Sequence, residues 1–131
     1  MDGEPLPGDR AAALAAAAAE AVRGLNHAAR EAGGIGRPSA AYDILGSLSL
    51  AASRLGQALA QVTRYLDQAL ADGTLGHDLG HDPADSVAGT GLFLDDARLS
   101  AAALAGDLDA AQHQLARVSA SPSPSPQESP S

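Results

Sequence analysis

The sequence predicts an all-α fold: an antiparallel three-helix bundle with long, coiled-coil-like second and third helices and a disordered Ser/Pro tail. Three observations predict it. Alanine supplies 31 of the 131 residues and leucine 18, against one Phe, two Tyr and no Trp; strands want β-branched and aromatic side chains, so a sheet-based fold is excluded. Two long stretches repeat apolar residues at alternating spacings of three and four, the mark of a helix with one buried stripe. Clusters of Gly and Pro divide the chain into three helical stretches, and the short connections between them make an up-down-up bundle the simplest packing. The length suits one domain and is too short for two full cores.

The elements follow in order. Residues 1–8, with Gly3, Pro5, Pro7 and Gly8, form a flexible leader. Asp9 is placed to cap a first helix over about 10–32, with Leu14, Ala18, Ala21 or Val22, Leu25 and Ala28 facing inward. Alanine propensity carries most of it. Gly33, Gly34, Gly36 and Pro38 break it, and Ser39 is placed to cap a second helix over about 40–72. There Leu45, Leu48, Ala52, Leu55, Leu59, Val62, Leu66 and Ala69 form an a/d seam. Asp72-Gly73 supplies the stop, Gly taking the left-handed conformation that closes a helix.

Asp82-Pro83-Ala84-Asp85 opens a third helix over about 84–118, with Asp82 as cap, Pro83 in the first turn and Asp85 near the positive end of the dipole. Its seam is Val87, Thr90, Leu94, Ala97, Ala101, Leu104, Leu108, Ala111, Leu115 and Val118. Gly89 and Gly91 weaken the first turns by about 1 kcal/mol each relative to Ala, which favours a kink or a late start near 92. Residues 9–118 thus make one helical domain. Residues 119–131, Ser and Pro with almost no apolar surface, do not offset their ordering entropy and are expected to be disordered.

Composition narrows the partners. Eight Arg and no Lys stand against 16 acidic residues, a formal net charge of −8. Such a surface repels phosphate backbones and anionic lipid, so neither a nucleic acid nor a membrane is expected as a partner. The apolar run Ala11–Ala19 follows an acidic leader rather than the basic start of a signal peptide. No run approaches the ~18–20 apolar residues of a membrane span. The absence of cysteine rules out a disulfide, a thiolate nucleophile and a cysteine metal site, and it fits a cytoplasmic protein.

One cluster resembles a chemical site, the tandem Gly76-His77-Asp78-Leu79-Gly80-His81-Asp82. Imidazole and carboxylate suit a divalent metal, which makes His77, Asp78, His81 and Asp82 the candidate ligands. The glycines set them on a flexible loop with no second ligand set on a helix, and a polar turn ending in a helix cap accounts for them more simply, so no metal, cofactor or catalytic residue is expected. His27 and His113 stand alone on different helices. Asp95-Asp96 and Asp107 with Asp109 fall outside the seams and read as solubilising charge, and Arg54, Arg64, Arg98 and Arg117 as dispersed surface cations. The small residues Gly46, Ser49, Ser53 and Gly56 form a stripe that permits tight packing within the chain or against a partner helix.

The segments Arg37-Pro38-Ser39-Ala40-Ala41-Tyr42-Asp43-Ile44-Leu45-Gly46-Ser47-Leu48 and Arg54-Leu55-Gly56-Gln57-Ala58-Leu59 resemble small alanine-rich helical proteins of streptomycete-type actinobacteria. The resemblance spans about residues 20–118 in texture more than in a diagnostic motif. It implies a helical fold and no particular activity. Those proteins often carry Pro where this chain has Gly56, which implies a kink or break in the second helix there.

The expected function is that of a non-enzymatic protein–protein interaction or structural module, self-associating or binding another helical protein. Its expected interaction seam is Leu45, Leu48, Leu55, Leu59, Val62 and Leu66 with Leu94, Leu104, Leu108 and Leu115. Tyr42 and Phe93, rare aromatics in the first turns of long helices, plug the bundle ends or, if exposed, mark hot spots. The alternatives are a secreted effector-type helical protein of actinobacteria, a metal-binding protein using the Gly76–Asp82 loop and, from net charge alone, an acidic nucleic-acid mimic.

Overall fold

The computed structural model describes residues 3–4 and 6–122. It contains three α-helices, α1 (Asp9–Arg30), α2 (Pro38–Ala71) and α3 (Pro83–Leu115), and no strand among the described residues. The chain divides into two units, one ending at Arg37 and one beginning at Pro38. The expected tail ends, in description, with the irregular stretch 116–122; residues 123–131, like 1, 2 and 5 of the leader, lie outside the described residues.

In the first unit, α1 contains no buried residue. Leu25 and Ala29 are half-covered, whereas Leu14 and Val22, expected to face inward, are exposed. Eight alanines between 11 and 19 sustain the helix by propensity. The expected cap is corrected. Gly8 precedes the helix in the left-handed region, with no side-chain cap bond, and Asp9 is already helical. The Asp9 carboxylate instead turns back to accept from the Leu6 amide at 2.8 Å.

The second unit is an antiparallel hairpin of α2 and α3, which pack along their length. Helix α2 runs unbroken through Gly56, correcting the kink implied by the resemblance. Glycine keeps its N–H and has no ring to clash with the preceding turn, so it costs propensity without forcing a bend. Pro38 occupies the first turn, which starts α2 two residues before the expected 40. Its C-terminus is a Schellman closure. Gly73, at φ +73°, donates to the Leu70 carbonyl at 3.1 Å, and Thr74 donates to that of Ala69 at 3.1 Å.

Helix α3 starts where the sequence indicates. The Asp82 side chain accepts from the Ala84 amide at 2.9 Å, and Pro83 fills the first helical position. The helix continues through Gly89 and Gly91 without the expected late start and ends at Leu115, three residues before the expected 118. Ala116 and Val118 donate to the carbonyls of His113 and Leu115, tightening the chain into a final turn that leaves Val118 exposed.

Alanine dominates the hairpin interior. Among the described residues, the buried ones are Ala52, Ala69 and Ala101. Leu45, Leu48, Leu59 and Leu66 of α2, and Leu94, Leu108 and Leu115 of α3, are half-covered beside them. Two expected seam positions of α2 are corrected: Leu55 is 51% exposed and Val62 46%, while Gly56 and Thr63 take the covered places. The contact stripe passes 52, 56, 59, 63 and 66, keeping the heptad spacing but taking Gly56 and Thr63, one residue on from Leu55 and Val62, at every second step. In α3, Ala105 and Gln112 are covered in place of Leu104 and Ala111, and Leu104 is 49% exposed. Small residues at the contact let the backbones approach and displace the larger ones to the flank.

Candidate interaction face

The hairpin has two unlike broad faces, and helical geometry assigns residues to them. With about 100° per residue, and Ala52 and Ala101 marking the inward directions, Ser49, Ser53 and Ala60 lie on one flank of α2, and Asp95, Arg98 and Ala102 on the matching flank of α3. Matching flanks of an antiparallel pair lie on the same side. Ser53, Ala60, Asp95, Arg98 and Ala102 jointly line one open groove of about 660 Å³, bordered by Gly56, Gln57 and Leu99. This side is polar. The Ser49 hydroxyl donates to the Ala105 carbonyl at 2.8 Å, and the Gln112 amide donates to the Tyr42 carbonyl at 3.1 Å.

The opposite flanks carry the apolar residues that the contact stripe leaves out. On α2 they are Ala51, Leu55, Ala58 and Val62; on α3 they are Phe93, Leu104 and Ala111, with the half-covered Ile44 and Ala97 at the boundary of the stripe. Tyr65 borders the row on α2 and is 63% exposed, and Phe93 is 77% exposed. Together with the half-covered leucines, these side chains form an apolar face across both helices, interrupted on α3 by the exposed Ser100. Soluble chains rarely expose such a contiguous surface unless something covers it.

The expected seam is therefore divided. Leu45, Leu48, Leu59, Leu66, Leu94, Leu108 and Leu115 join the two helices of the hairpin, while Leu55, Val62 and Leu104 belong to the open face. Phe93 stands on that face rather than plugging the bundle end. Tyr42 is 37% exposed and lies on the polar side, beside a small cleft lined by Pro38, Ser39, Leu115, Ala116 and Val118. Tyr65 was missed by sequence reasoning, although its place three residues after Val62 extends the second row. Leu50, Leu92 and Leu99 are also exposed, but they lie toward the outer backs of their helices.

The histidine loop does not assemble a ligand set. The His77 and His81 rings stack with centroids 5.0 Å apart. His77 Nδ1 accepts from the Leu79 amide at 3.1 Å, and Asp82 Oδ1 accepts from the Ala84 amide to cap α3. Among the described residues, no group of three or more His, Cys, Asp or Glu is placed to hold a metal ion. His113 pairs locally with Asp109 at 3.6 Å, and His27 with Glu31 at 3.5 Å, both on exposed helix surface. Also among the described residues, no helix is long and apolar enough to cross a membrane.

No protein-family model matches the chain, and neither a curated protein nor a solved structure is similar to it.

Proposed function

We propose that this chain is a non-enzymatic protein–protein interaction module of the cytoplasm, whose working surface is the apolar face of the α2–α3 hairpin. The observation that carries the reading is the pairing of a three-alanine interior with exposed Leu55, Val62, Tyr65, Phe93 and Leu104 on one side. A hairpin this thin holds most of its hydrophobic surface outside its own interface. Covering Leu55, Phe93 and Leu104 would each remove substantial apolar area from water, at about 25 cal/mol per Å². Aromatic side chains at the centre of such a face are the anchors that hot spots favour. The absence of cysteine fits the compartment.

Hydroxyl-radical footprinting of the full chain tests the reading. With reactivities normalised to the urea-unfolded chain, Phe93 and Tyr65 are expected to be protected relative to Leu92 and Leu99 on the outer backs of the helices. Equal reactivity of the two sets would contradict the assignment of the face.

A further inference from the structure

Resting on that reading of the face, we infer that its occupant is a second copy of the chain, laid face to face so that α2 of each copy covers α3 of the other, with both interhelix loops at one end. The size of the face permits a stable pair. Helices of 34 and 33 residues side by side present a surface roughly 50 Å by 20 Å, about 1,000 Å² per copy, against the ~800 Å² per partner of a standard interface.

Charge selects the arrangement. Beyond the outer edge of the face, α2 carries Arg54 near its back, about 160° from the contact direction, and α3 carries Asp96 and Asp107 at about 140° and 120°, all three turned to this side of the hairpin. None of the three forms an ion pair within the chain among the described residues. Two copies stack face to face in two symmetric ways. With loops at opposite ends, each helix lies on its own copy. Arg54, at the middle of α2, then meets the other Arg54, and Asp96 comes within one helical turn of the other copy's Asp107. With loops at the same end, α2 crosses antiparallel over the other copy's α3 in the register the hairpin itself uses, where Ser49 is level with Ala105 and Tyr42 with Gln112. Arg54 then comes level with position 100, between Asp96 and Asp107 on the same side. Opposite charges meet in the second arrangement and like charges in the first.

The chain has no cysteine, so Leu79→Cys, on the exposed loop, carries one spin label per copy. Sedimentation of the full chain is expected to give a dimer, and pulsed electron resonance an inter-label distance of about 20–30 Å. Labels about 50 Å or more apart would place the loops at opposite ends and overturn the arrangement. Arg54→Asp is expected to weaken the dimer about tenfold, and adding Asp96→Arg and Asp107→Arg to recover most of that loss. No effect of the charge swap overturns the charge pairing. A chain that stays monomeric at every concentration overturns the second-copy assignment and leaves the face to a different helix. A dimer that survives both Leu55→Glu and Phe93→Glu overturns the face itself.

Discussion

The hydroxyl of Ser49 bonds the main-chain carbonyl of Ala105 at 2.8 Å, a side chain of α2 joined directly to the backbone of α3. So short a side chain reaches a neighbouring helix only when the axes sit at the close end of the ~8–10 Å range. Ser49→Ala is expected to lower unfolding free energy by about 0.5–1.5 kcal/mol, the usual net worth of a part-buried hydrogen bond. Ser49→Leu forces the helices apart and is expected to cost about 1–3 kcal/mol. Urea titration with an unchanged slope measures both, and a fully stable Ser49→Leu would argue against the close contact.

Gly46 and Gly56 share a helix and differ in surroundings. A Cβ on Gly46 would run into the Gln112 side-chain amide, whereas at Gly56 it would meet nothing within 4 Å. Gly56→Ala should therefore gain helix propensity freely, about 0.5–1 kcal/mol in thermal or urea unfolding. Gly46→Ala gains the same propensity but displaces the Gln112 bond to the Tyr42 carbonyl, so its net change should stay within about 0.5 kcal/mol of zero. Equal stabilisation at both positions would count against the Gln112 contact.

Helix punctuation gives a third expectation. Asp82→Ala removes the acceptor for the Ala84 amide and should cost about 1 kcal/mol, while Asp82→Asn retains a cap and most of the stability. Gly73→Ala puts a side chain in the left-handed region and should cost about 1–2 kcal/mol. Calorimetric midpoints of the three variants check the order, with Asp82→Asn nearest to the parent.

The histidine loop supplies a fourth. With two stacked imidazoles and no third ligand placed beside them among the described residues, zinc should leave the melting temperature unchanged at equimolar concentration, and His77→Ala with His81→Ala should alter stability by under about 0.5 kcal/mol. Isothermal titration showing stoichiometric zinc binding that His81→Ala abolishes would revive the loop as a metal site.

The all-helical architecture was legible because its signals are local. Alanine content, the Asp82-Pro83 start and the Gly73 stop act within a few residues of themselves, and each appears where its chemistry places it. Phase along the helices was not legible. Leu55, Val62 and Leu104 fit the seam by hydrophobicity, yet Gly56, Thr63 and Ala105, one residue on in the same heptad spacing, occupy the contact because small side chains allow close approach. Periodicity ranks positions by greasiness, and an alanine-based contact ranks them by size. The apolar face was hidden for the same reason: the seam residues were assigned to one stripe when they belong to two. Asp9 shows a smaller version, since Gly8 in the left-handed region precedes the helix start and the Asp9 carboxylate turns back to the Leu6 amide.

Light scattering of the full chain over a concentration series, with circular dichroism on the same samples, tests the central claim most directly. A helical dimer whose melting temperature rises with concentration is the predicted result, because a partner that binds only the folded chain stabilises it by mass action. A monomer with a concentration-independent melting temperature would contradict it.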